Sequence, residues 1–147
     1  MSTGKAIGVA SLAILIALYV VGAVSVPPGS LRHEVQTLPL WIPIVAGFRD
    51  KPIAKWAALP CFVFWLVLMV AIWLFLLGWA RFVTGRFSPS EVAMTLVIGA
   101  ASIGGIAASL RWRTPVPPLA ASAIVVLSLA LQFLAFRLSL IPYIARR

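Results

Sequence analysis

Four long apolar runs dominate the chain, at residues 5–26, 56–80, 91–110 and 118–141. Each matches the roughly 20 residues that an α-helix needs to cross the hydrocarbon of a bilayer. Their ends carry stop and start signals. Pro27, Pro28 and Gly29 close the first run, since proline has no N–H for a helical bond. Pro60 falls in the first turns of the second run, where a missing N–H costs least. Ser88, Pro89 and Glu91 form a capping-box pattern before the third. Pro115, Pro117 and Pro118 hold an extended approach to the fourth. The pattern predicts an all-α integral membrane protein, one domain over residues 1–147 with four transmembrane helices.

The connections are unequal. Two are short, but residues 27–55 form a long one, and long structureless connections are uncommon in compact domains. Within it lies "LPLWIPIVAGF", apolar but broken by Pro39 and Pro43. As a helix it would span about 16 Å, half a bilayer core. Irregular backbone bare to lipid leaves N–H and C=O groups unsatisfied, at several kcal/mol each. The segment is therefore expected to be interfacial, or re-entrant where other protein covers it. His33, Glu34, Gln36 and Thr37 flank it on one side, and Arg49 and Asp50 on the other. These residues are expected to act as a polar hub tying the loop to its own bundle, or as a docking contact for a partner. Trp41 would be the anchor, because large aromatics dominate protein contacts. His33 would meet Asp50 if the loop folds back on itself.

Composition confirms the solvent. Hydrophobic residues make up 63% of the chain and charged ones only 10%, against about a quarter charged in soluble domains. The net charge is +9, but the cations sit at the ends of apolar runs, where headgroups attract them. Nucleic acid is not expected, because no basic cluster interleaves with aromatics. The cations flanking four spans divide five against six, so the positive-inside bias is flat. Lys5, close before the first run, favours an inside N-terminus. The expectation is a plasma or inner membrane protein with both termini cytoplasmic. The first run is read as a retained helix, since it exceeds the about 7–15 residues of a signal-peptide core.

Chemistry is scarce. One His, one Cys and three acids do not supply a metal cluster, a haem with two histidines, or an internal disulfide. No carboxylate falls inside a span, and no nucleotide-binding or nucleophile motif occurs. No catalytic residue, metal or cofactor is expected, and the chain is read as no enzyme. Cys61 is expected to behave as a small buried hydrophobe.

Two helix faces remain. In the third run Ala101, Gly105 and Ser109 lie four apart, as do Ala100, Gly104 and Ala108. Such thin ridges let helix backbones approach in lipid, so Ala101, Gly104, Gly105 and Ser109 are expected to pack helices. In the fourth run Ser128, Gln132, Ala135 and Ser139 share one face. A buried amide needs a partner: Gln132 is expected to bond a neighbouring helix, with a ligand as the alternative. Arg137 is expected to snorkel to headgroups.

The functional expectation is a small non-catalytic accessory or assembly subunit of a larger membrane complex. Its partners would be membrane lipid and other membrane subunits or its own copies. The second reading is an oligomeric channel or transporter for a small solute or ion; the third is a membrane enzyme or cofactor-binding unit.

Overall fold

The computed structural model describes residues 1–25, 31–80 and 87–145. Among these residues all regular structure is helical: α1 (Thr3–Ser25), α2 (Leu31–Thr37), α3 (Trp41–Phe48), α4 (Ile53–Leu76), α5 (Pro89–Arg111), α6 (Pro118–Ser139) and α7 (Pro142–Ala145). Helices α1, α4, α5 and α6 are long and apolar enough to cross a membrane. The predicted stop at Pro27 to Gly29 lies outside the described residues.

Local signals set the helix ends. At α5 the Ser88 hydroxyl accepts from the Glu91 N–H, and the Glu91 carboxylate accepts from the Ser88 N–H at 2.6 Å. This satisfies two of the free donors that every helix start exposes. Helix α4 ends at Leu76, before the predicted residue 80. Gly78 follows at φ +75°, the left-handed conformation in which glycine closes helices. Pro60 lies inside α4, in its second turn.

The long connection is itself helical. Helices α2 and α3 are joined by a 3₁₀ turn at Leu38–Leu40. Its path follows from two glycine contacts. A Cβ added at Gly22, late in α1, would lie 3.1 Å from the His33 ring. A Cβ added at Gly47 would lie 2.7 Å from the Gly4 carbonyl and the Gly8 nitrogen, at the start of α1. The segment from Leu31 to Phe48 therefore runs back antiparallel along α1, over nearly its whole length.

The other helices keep this register. The N–H of Ala54, at the start of α4, donates to the Lys51 carbonyl, at the end that holds the N-terminus. At this near end the Lys55 ammonium donates to the Trp112 carbonyl at 2.7 Å, and the Trp56 indole donates to Thr114 at 3.0 Å. Helix α5 thus ends there, and α6 starts there. At the far end Gln36 reaches Ser139, the last residue of α6. Helix α5, which ends at Arg111 beside the near end, opens at Pro89 at that same far end.

The near end therefore holds Ser2, and the far end holds Ser139. The expectation of both termini at one end rested on four traverses of the bundle. The connection makes a fifth, in two short pieces that proline separates, so neither piece reads as a span by length. Helices α1, α4 and α6 pack around it. The core is closed by Ile7, Ile14, Leu40, Phe62, Trp65 and Ile98, each at most 1% exposed.

Candidate functional site

The break in the second traverse needs partners. Pro39 and Pro43 have no N–H to offer the carbonyls one turn earlier. In an apolar surround a neighbouring helix must satisfy those carbonyls. Helix α6 does so. Gln132 Nε2 donates to the Gln36 main-chain carbonyl at 3.4 Å, a long bond. Gln36 Nε2 in turn donates to Ser139 Oγ at 2.9 Å. The Ser139 hydroxyl donates to the Phe136 carbonyl at 2.6 Å, and Thr37 Oγ1 donates to the Glu34 carbonyl at 2.8 Å. Gln36, Thr37, Gln132 and Ser139 are all buried, as are Ser128 and Ala135 on the same face of α6. The α6 stripe is thus turned onto the broken segment. Gln132 bonds a neighbouring backbone, and its Oε1 is buried without a partner among the described residues.

Gln132→Leu keeps the volume and removes the donor. It leaves the Gln36 carbonyl unsatisfied, at about 1–3 kcal/mol, so a loss of about 2 kcal/mol is expected. The check is thermal unfolding in detergent beside Leu131→Ala, on the exposed face of α6. Equal melting of the two variants would show that the clamp holds nothing.

The remaining polar residues of the connection divide between the ends. His33, half-buried against Gly22, and exposed Glu34 belong to the far end. Arg49 and Asp50 belong to the near end, where the Asp50 carboxylate accepts from the Ser2 hydroxyl. His33 and Asp50 are therefore a traverse apart and do not pair. Asp50 stands at φ +50°, rare for a residue with a side chain, in the tight turn that reverses the chain from α3 into α4.

The broken segment has two faces. Pro39, Leu40, Pro43, Ile44, Ala46 and Gly47 are buried. Leu38, Trp41, Ile42, Val45 and Phe48 face outward, with Trp41 46% exposed.

The two ridges of α5 also part. Gly105 and Ser109 face inward with Ser102, and a Cβ at Gly105 would fall on the Phe62 ring. Ala101 and Ala108 lie half-buried against the core. Gly104 faces outward with exposed Ala100, and a Cβ at Gly104 or Gly99 would meet nothing within 4 Å. Beside this thin ridge runs an outer groove of about 400 Å³ between α4 and α5, lined by Met69, Val70, Trp73, Gly99, Ala100 and Ile103 among others. Of the four small residues expected to pack helices, Gly104 meets no other helix among the described residues. A ridge at four-residue spacing does not say which side of a helix faces in.

Sequence reasoning missed the crossing of Gly47 with Gly4 and Gly8. The signal was present as two glycines four apart at the start of α1, a spacing that lets backbones touch. Among the described residues no group of three His, Cys, Asp or Glu side chains converges to hold a metal ion. Comparison with protein-family models, curated proteins and solved structures finds no match to this chain.

Proposed function

We propose that the protein is a non-catalytic subunit of a membrane assembly, embedded through α1, α4, α5, α6 and the broken segment, and that it works by helix packing. The broken segment would serve as a fifth crossing. Its length from Leu31 to Phe48 is roughly 27 Å as helix, close to the about 30 Å of bilayer hydrocarbon.

The observation that carries this reading is the outward ridge of α5. Between helices in lipid there is no hydrophobic drive, and small residues that let backbones close together favour association instead. Ala100 and Gly104 form such a ridge, exposed among the described residues and set beside a groove that Trp73 lines. That is the shape that receives another helix. The buried polar groups of the connection, Gln36 and Thr37, are used inside the bundle, and an apolar ridge on α5 is left as the recognition surface. The channel reading is less well supported for a single chain, because Leu40, Phe62 and Trp65 fill the centre.

Gly104→Leu tests the reading, since it adds bulk where the chain itself has open space. The variant is expected to fold as well as the parent but to lose its partner on affinity purification in a mild detergent. Native mass spectrometry then tells a foreign subunit from a second copy of this chain. A parent protein that purifies as a bare monomer would refute the reading. So would a variant that keeps its partner.

A further inference from the structure

The outer face of α3 offers a second recognition surface, away from the α5 ridge. There an open trough of about 450 Å³ is lined by Trp41, Ile42, Val45, Ala46, Arg49 and Lys51. Its composition is graded along the helix. Trp41 and Val45 are four apart, and Arg49 follows four later, so they share one face. The apolar part lies deeper in the bundle, and both cations lie at the near end. Both Arg49 and Lys51 are exposed. Among the described residues neither has an acidic partner. The one acid between them, Asp50, takes the Ser2 hydroxyl instead.

We infer that this trough binds an anionic phospholipid. The acyl chain lies along Trp41, Ile42 and Val45, and the headgroup phosphate rests between the Arg49 guanidinium and the Lys51 ammonium. Charge complementarity favours this occupant over a protein helix. A helix seated in the trough would bury both cations against apolar surface, whereas a lipid leaves them in the headgroup layer. Trp41, about 10 Å along the segment from the cations, gives the acyl chain a broad apolar wall. The arrangement differs from a general basic surface, because the two cations sit at the mouth of an apolar track of matching direction.

The test uses the full chain in nanodiscs of phosphatidylcholine alone or mixed with phosphatidylglycerol. Lipids retained on release are read by native mass spectrometry. The parent is expected to retain phosphatidylglycerol selectively. Each surface cation contributes roughly fivefold to anionic-lipid binding, so Arg49→Gln with Lys51→Gln should lower the preference about 25-fold. Trp41→Ala should weaken retention of both lipids and leave the preference for the anionic one. The control is Arg111→Gln with Arg113→Gln, exposed at the same end. Equal loss in the control would show only a diffuse basic surface and overturn the site. An unchanged preference in the Arg49, Lys51 variant would also overturn it, as would displacement of the lipid by inorganic phosphate alone. Because Gly104 lies on another helix, failure here leaves the subunit reading standing.

Discussion

Gly47→Ala is expected to unseat α3 from α1, with a large loss of stability from a single methyl group. A Cβ at this position would lie 2.7 Å from the Gly4 carbonyl oxygen and the Gly8 nitrogen, and 2.8 Å from the Gly8 Cα. All three are backbone atoms of a helix, which move only if the helix moves. Overpacking of a well-filled site costs about 1–3 kcal/mol and occasionally more, and here the upper end is expected because no side chain can yield. Gly105→Ala makes a useful contrast. Its Cβ meets the Phe62 ring, which can turn at some expense to the core. Gly104→Ala meets nothing, and it should gain up to about 1 kcal/mol from helix propensity. Thermal unfolding in detergent should thus rank Gly47→Ala least stable, then Gly105→Ala, then the parent, then Gly104→Ala. A Gly47→Ala variant that melts with the parent would mean that α3 does not cross α1 at this distance.

The second large effect is topological and all-or-none. The natural Cys61 is buried, so single cysteines can be introduced elsewhere without competition from it. With five traverses, Ser2→Cys, Lys51→Cys and Arg113→Cys should label from one side of a sealed membrane. Trp79→Cys and Leu140→Cys should label from the other. With four traverses, Lys51 and Arg113 would share a side opposite Ser2, while Leu140 would join Ser2. The pair Ser2 and Lys51 therefore decides between the two arrangements. Labelling of both on opposite sides would return the connection to a surface loop. Labelling of every site from both sides would mean dual insertion, which the flat charge distribution permits.

Much of the fold was legible because its signals are local. A run of apolar residues and a capping box at Ser88 to Glu91 each act within a few positions, whereas the stop at Gly78 was passed over and the predicted helix ran on to residue 80. The four long helices followed from these. The second traverse was not legible, since Pro39 and Pro43 cut it into pieces of half-bilayer length. What seats those pieces along the bundle lies elsewhere in the chain: Gly4 and Gly8 on one side, Gln132 and Ser139 on the other. The stripe on α6 could be read from helical spacing, and so could the need of Gln132 for a partner. Its partner could not, because nothing in the spacing says that Gln36 would arrive opposite it. The same gap explains α5. Four-residue spacing identified thin ridges, but only the placement of Phe62 decided that Gly105 faces in and Gly104 out.

The clamp on the broken segment joins residues far apart in the chain: Gln36 with Ser139 at a separation of 103 positions, and with Gln132 at 96. A ribosome therefore makes the segment long before it makes the helix that completes it. Throughout that interval α1 can offer its glycine track, but the Gln36 carbonyl has no amide to meet it. Under the proposed fifth crossing, a segment so broken by proline would wait near the surface, or half-seated on α1, until α6 emerges. In the proposed five-crossing arrangement the last crossing to form is thus this one, and a nascent chain stopped before α6 would still present the segment to whatever chaperone or insertase attends the membrane.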